Sequence, residues 1–444
     1  MKINALGDRP VGRLLWEYSA PAVVGMIVVS LYNVIDRIII GQQVGPDAIA
    51  GLAITFPVMN LVTAFGTLVG VGSAARVSIM LGQGRADDAA HVLGNAFTLT
   101  FILSSVYLIF FSLFLDDILT AFGASAATLP YARDFMTTLM PGMLLMNLTY
   151  SFNNIQRASG YPRRAMTAML LSAGINLVLA LCFVIWFGWG IRGAALATDC
   201  AMFSGMLFVL WHFRQRTSTV RFRRGTFALR GRIVWEIMSI GMAPALLNVA
   251  GCMINMVINN KLLTIGGDRA VGAAGIYTTF TQLIAMVVVG ICQGMQPIVG
   301  YNYGAGQYAR VRRAYFLAVA SGTVLCLAGM AGALGAPGII ARAFTNDPSL
   351  IAATETCLRT ALLAFGLVAF QMVSTVFFQS IGKAGKSIFL SLTRQVIFLI
   401  PLLLILPGHF GLRGIWMSFP ISDCVSVLVT ACFIVYQFRR SMRA

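Results

Sequence analysis

Apolar runs long enough to cross a bilayer recur about twelve times along this chain, and no other feature limits its fold as strongly. They fall at 13–40, 50–80, 90–115, 129–155, 165–187, 191–213, 234–264, 271–302, 312–336, 350–380, 386–407 and 411–438. A water-soluble globule cannot hide so many. Hydrophobic residues make up 58% of the 444 and charged residues 11%, with a mean hydropathy of +0.82, which leaves too little polar surface. The expectation is an all-α polytopic membrane protein. A barrel is disfavoured, because its strands would alternate every second residue. The first run is too long for a signal peptide, and no small-residue cleavage site follows it. Pro21, Pro57, Pro244 and Pro297 lie inside runs and predict helices that bend or tilt.

A formal charge of +17 raises the question of nucleic acid, but the placement of the charge answers it. Basic residues gather at the termini (Lys2, Arg9, Arg13; Arg439, Arg440, Arg443) and after the second, fourth, sixth, eighth and tenth runs. The connection after the sixth, HFRQRTSTVRFRRGTFALRGR, holds seven arginines. This bias predicts an even number of spans with both termini cytoplasmic. It makes anionic lipid headgroups, rather than nucleic acid, the nearer partner. The eight cysteines all fall in apolar runs without CxxC spacing and read as small buried hydrophobes, so neither a disulfide framework nor a metal site is expected.

The chain is written twice. SAPAVVGMIVVSLYNVIDR aligns with GMAPALLNVAGCMINMVINN, placing Pro21 on Pro244 and Asp36 on Asn259, an offset of 223 (244 − 21 and 259 − 36). GVGSAARVSIMLGQG aligns with GICQGMQPIVGYNYGAG at an offset of 222 (Gly72 on Gly294, Gly82 on Gly304, Gly84 on Gly306). Gly160 then meets Gly382, and Arg192 with Gly193 meets Arg413 with Gly414. Each half is therefore a six-helix lobe, 1–213 and 233–444, joined by a basic linker at 214–232. Six spans per half is an even number, so both halves enter the membrane from one side. Their pseudo-two-fold runs along the membrane normal, a plan of secondary transporters that bind substrate between the halves.

YNVIDRIIIG in the first run, GVGSAARVSIMLGQG closing the second, INLVLALCFVIWFGWGIRGAALAT, QGMQPIVGYNYGAG, RQVIFLIPLLLILP and GLRGIWMSFPISD together resemble the MATE (multidrug and toxic compound extrusion) family, within it the DinF-type branch. The likeness covers nearly the whole chain. It implies export of drugs or metabolites driven by inward flow of protons or sodium, with an acidic residue of the N-terminal half as the coupling site. That residue corresponds to Asp36.

The residues agree with this, because an intramembrane carboxylate is by default a functional candidate. Pairing with the adjacent Arg37 is awkward, since neighbours on a helix point in different directions. Run direction brings Asn176, Thr198 and Asp199 to the level of Asp36, and a carboxyl among apolar walls suits uptake and release of a proton. The family's sodium-binding pattern adds a second acid one turn after the asparagine, where this chain has Ala180. Protons are therefore expected over sodium, unless Asp199 supplies the missing acid. In the second half Asn259 replaces the carboxylate, and 238–264 and 356–380 contain no acid. Asp423 in the last run reads as a hydrogen-bonded core residue, with a substrate counter-charge as the alternative.

Candidates for a central substrate cleft are Tyr32, Asn33, Gln282, Gln293, Met295 and Met372, since aromatic and methionine faces suit varied organic cations. Small, amphipathic, cationic molecules and membrane lipids are the expected partners, and a monomer suffices. Trp16, Trp186, Trp189, Trp211 and Trp235 fall near run ends and read as interface anchors. GYNYGAGQ lacks a preceding strand and a following Gly-Lys-Ser, so no nucleotide or other cofactor is expected and an ion gradient must supply the energy. The rival in the same superfamily is a lipid-linked sugar or polysaccharide flippase, for which Arg37 and Arg394 are the only hints of a cationic cavity. Rivals of other classes are a passive channel and an intramembrane enzyme. Against the enzyme, His91, His212 and His409 are scattered and no HExxH or paired acids appear.

Overall fold

The computed structural model describes residues 5–441. Of the basic terminal residues, Lys2 and Arg443 lie outside the described residues, as does the side chain of Arg440. Among the described residues the chain folds as helices without strands. The first half comprises α1 (Val11–Gln43), α2 (Pro46–Gly82), α3 (Ala86–Ala121), α4 (Leu129–Ala158), α5 (Pro162–Ala180, prolonged by a π-turn over Leu181–Trp186) and α6 (Gly190–Arg214). Proline occupies the first turn of α2, α4 and α5, where its missing N–H costs nothing.

In the second half two continuous stretches of helix each hold two membrane passes. Gly231–Gly304 has 74 residues, which at about 1.5 Å per residue is more than three bilayer cores long. It breaks at Gly267 (φ 63°, ψ −167°), a conformation open essentially to glycine alone. Ile254, Ile258 and Leu262 on one arm then pack with Ala270, Ala273 and Ala274 on the other. These arms are α7 (231–266) and α8 (268–304). After α9 (Tyr308–Gly335), α10 is a broken span, Pro348–Ala361 and Phe365–Ser380 meeting at 52°. The last stretch divides at Gly411 (φ 56°, ψ −137°) into α11 (384–410) and α12 (412–441).

By length and hydropathy alone, eight helices qualify as spans among the described residues, or nine with the bent pair. Splitting at the two glycines supplies two more. The remaining one is α4, whose hydropathy is diluted by buried Asn147, Asn153, Asn154, Gln156 and Arg157.

The sequence repeat reappears as paired geometry. Gly84 and Gly306, both at positive φ, close α2 and α8 with the same bonds: Gly84 N–H to the Leu81 carbonyl and Arg85 N–H to that of Met80, then Gly306 to Tyr303 and Gln307 to Asn302. The contacts between lobes are reciprocal. A Cβ on Gly82 would collide with the Tyr301 carbonyl, and one on Gly304 with that of Ile79. Likewise Gly72 abuts Ile237 and Gly241, as Gly294 abuts Ser19. Each such pair has its image 222 residues on (301 − 79 and 304 − 82, 241 − 19 and 294 − 72). Only glycine permits the backbones to approach so closely.

The first helix of each half begins in the other half's core. Leu14, Leu15 and Tyr18 of α1 are buried with Val299, Tyr315 and Phe377, whereas Ile233 and Ile237 of α7 are buried with Leu93, Phe152 and Phe213. The 214–232 segment is also part of the N-terminal core. Val220 is 1% exposed, Phe222 and Phe227 stack at 5.3 Å, and the Asn95 amide donates to the Thr226 and Ala228 carbonyls at 3.2 and 3.1 Å. Both ends of the described chain gather at the end of the bundle where this segment lies: Asn302 donates to the Leu6 carbonyl, and Lys383 reaches Gln437 at 3.0 Å. The five tryptophans expected as interface anchors are all at least half exposed.

Candidate functional site

The four helices α1, α2, α7 and α8 cross closely towards the end where Leu6 and Gln437 lie, at Gly72, Gly82, Gly241 and Gly304, and further along at Gly294 with Ser19 and Gly290 with Val23. Further out, Asn33 on α1, Asn259 and Asn260 on α7 and Gln282 on α8 are exposed. Polar side chains exposed within spans belong to a water-filled cleft rather than to lipid. Their exposure on the first and second helices of the two halves points to a water-accessible cleft between the lobes at this end.

Asp36 lies beside this cleft, partly buried. With the Asn176 amide turned to suit its neighbours, its Nδ2 donates to both Asp36 oxygens at 3.1 and 2.9 Å, and its Oδ1 accepts from the Thr198 hydroxyl at 3.0 Å. Thr198 is also within 3.1 Å of the Ala194 carbonyl. Three helices thus converge on one carboxylate: α1 supplies the acid, α5 the amide and α6 the hydroxyl. Asn176 is 1% exposed, so the amide is held by packing as well as by bonding. On one side the walls are apolar, with Ile39, Ile40, Ala180 and Val184 buried together and Ile35 against them. Ala180 is an ordinary member of that packing, 1% exposed.

Arg37 turns away from its neighbour. It is exposed, its guanidinium lies 5.9 Å from the Phe56 ring centroid, and no ion pair joins it to Asp36 among the described residues. Asp199 is buried at 9% exposure and faces α4, where a Cβ on Gly142 would collide with its Oδ1. No hydrogen bond links it to Asp36, Asn176 or Thr198 among the described residues. The structure therefore brings Asp36, Asn176 and Thr198 together and sets Asp199 apart.

The substrate candidates divide. Asn33 and Gln282 are exposed, Tyr32 is half-buried one turn before Asp36, and Gln293 is half-buried with an Oε1 that has no partner among the described residues. Met295 is fully enclosed in the core shared by α1, α8, α9 and α10, and Met372 packs against the same core. Asp423 is 4% exposed and forms an ion pair with Arg394 at 2.6 Å, a partnership that residues 29 apart on neighbouring helices do not announce in sequence. Also absent from any motif is the Arg76–Glu236 pair, 2.7 Å, which bridges α2 and α7 between the lobes. No group of His, Cys, Asp and Glu among the described residues could hold a metal ion.

The MatE family model matches residues 21–182 and 242–405, once in each half. The chain is 24% identical over 435 residues to the multidrug export protein MepA of Staphylococcus haemolyticus, covering 98% of this chain and 95% of that protein. Its fold is similar to that of a multidrug resistance MATE family transporter of the MOP superfamily in an outward-facing conformation, with TM-score 0.93, 25% identity, and 100% and 99% of the two chains covered. It is likewise similar to the MATE multidrug transporter DinF-BH, with TM-score 0.90, 34% identity, and 98% and 97% covered. With both repeats matched by the family model and the two-lobed cleft in place, the chain belongs to the MATE family of membrane transporters.

Proposed function

We propose that this protein is a secondary active exporter of small, amphipathic organic molecules, cations among them, driven by proton antiport through alternating access, and that it belongs to the DinF-type branch. The observation that carries the reading is the single carboxylate of Asp36, held at the side of the cleft by Asn176 and through it by Thr198. A proton arriving from the open end neutralises Asp36 and removes the charge that the Asn176 N–H groups address. That rearranges the contact of α1 with α5 and α6, and with it the wall of the cleft. Release of the proton to the other side resets the amide. The relatives named as multidrug exporters support the direction and breadth of transport.

The choice of proton follows from the ligand count. A sodium ion needs several oxygen donors, and the cluster offers one carboxylate, one amide oxygen and one hydroxyl, with Ala180 in the place of a second acid. One proton falling through 100 mV yields about 2.3 kcal/mol, enough for a gradient of roughly fortyfold in a substrate that moves no net charge. The arginine-rich end of the bundle, where both ends of the described chain lie, is assigned to the cytoplasmic side by the positive-inside bias, and the membrane to a bacterial inner (plasma) membrane by the bacterial relatives.

The test is uptake of ethidium into inverted vesicles under an imposed pH gradient in sodium-free buffer, for the wild type and Asp36→Asn at equal abundance. Uptake in the wild type that collapses in the variant supports the reading. A requirement for added sodium would reject the proton, and equal uptake by both proteins would make Asp36 structural.

A further inference from the structure

The coupling scheme leaves one buried charge in the C-terminal lobe unused. Arg394 stands on α11 where a π-turn, Thr393–Leu399, widens the helix, and such turns recur at functional sites. Its Nε donates to the Asp423 carboxylate at 2.6 Å, while the Ser422 hydroxyl donates to its carbonyl at 2.6 Å. Thus α12 holds both the side chain and the backbone of the widened turn. The Tyr277 ring on α8 sits 5.1 Å from that of Phe419 on α12. The widened turn thus packs between the α7–α8 hairpin and α12, and the carboxylate that holds it lies in the lobe interior at 5% exposure.

The guanidinium is only partly used. It has five N–H groups, and among the described residues neither terminal nitrogen has a hydrogen-bond acceptor. The Arg394 side chain keeps 23% exposure against 5% for Asp423, so of the two partners the arginine is the less enclosed. One turn earlier on the same helix face, Ser391 is 4% exposed and its hydroxyl has no partner, as is true of the buried Gln395 Oε1 beside Arg394.

We propose that Arg394 is a recognition point for the carboxylate of a zwitterionic substrate inside the C-terminal lobe. Two parallel N–H groups on a rigid plane match a carboxylate bidentately, which an ammonium cannot do. Because Asp423 already balances the arginine, a bound dianion would bury two uncompensated charges. A carboxylate buries one, and the substrate's own cationic group offsets it.

This assignment rests on the transport reading above, and the test separates the two. Acid-inside proteoliposomes are given rhodamine B, which carries a free carboxylate, or its ethyl ester, which does not. The proteins compared are the wild type, Arg394→Lys, and the charge-neutral double variant Arg394→Gln with Asp423→Asn. The wild type is expected to accumulate both dyes. Both variants should raise KM for the acid about tenfold or more and leave the ester within about twofold, which also shows that they fold. Equal losses for the two dyes would mean a purely structural pair, and an unchanged acid KM would leave Arg394 no role in recognition. A wild type that carries the ester and refuses the acid would also overturn the site. A wild type that carries neither dye would overturn it together with the transport reading.

Discussion

Asp36 is held by an amide that can present either edge, and this gives Asn176 more weight than its neutrality suggests. Its Nδ2 is the side-chain donor to both carboxylate oxygens, and a hydrogen bond to a charged group is worth about 1.5–3 kcal/mol. Asn176→Leu removes both bonds and keeps the branched shape, with bulkier methyl groups in place of the amide atoms. It is expected to lower proton-driven dye uptake by at least about tenfold at equal membrane abundance, tenfold being about 1.4 kcal/mol. Wild-type uptake by the variant would show that the amide is not part of the coupling. The three residues of this cluster were legible in sequence because run direction fixes their depth. The separation of Asp199 from Thr198 was not, since neighbouring residues on a helix point about 100° apart and only the packed rotation of α6 decides which faces α1.

At the scale of the element, the second half shows how single glycines divide long helices. Gly267 and Gly411 both adopt conformations closed to other residues, and at such positions a side chain costs about 1–3 kcal/mol. Gly267→Ala and Gly411→Ala should each lower the thermal midpoint in detergent by several degrees. Gly275→Ala is the control: it sits in α8 with nothing within 4 Å of a built Cβ, so it should keep or slightly raise the midpoint. A drop as large at Gly275 would show that any glycine of this hairpin is critical. The sequence marked these breaks only as gaps between apolar runs, at 264–271 and 407–411. Nothing in the residues themselves distinguishes Gly267 from Gly266, because the reversal is imposed by the packing of both arms in one core.

At the scale of the whole molecule, the conformation shown is stabilised where the lobes touch. Two kinds of contact act there: backbone crossings at Gly72, Gly82, Gly241 and Gly304, and the Arg76–Glu236 ion pair. They are unequal. The charged side chains are 21% and 24% exposed, and a pair of that kind is worth about 1 kcal/mol or less, whereas a Cβ driven into a backbone carbonyl cannot be accommodated without moving a helix. Spin labels on opposite faces of the cleft, at Asn33 and Asn260, report the balance. Gly304→Val is expected to move most of the population to shorter distances, and Arg76→Gln to move it by a factor of about five at most. If Arg76→Gln shifted the balance more than Gly304→Val, the ion pair rather than the glycine crossing would hold the closed end.

By itself the sequence determined the class, the twofold plan and the level of the Asp36 carboxylate, because hydropathy, internal offset and run direction are local or additive properties of the chain. It also placed the glycines that later proved to be caps and crossings. The tertiary structure decided which side chains share a site: that Asp199 meets Gly142 rather than Asp36, that Arg394 answers Asp423, and that each half lends the start of its first helix to the other's core. The physical reason is common to all three. Contacts between helices depend on rotation and register to within a fraction of a turn, and those are set by the mutual packing of many side chains, no one of which carries the information alone.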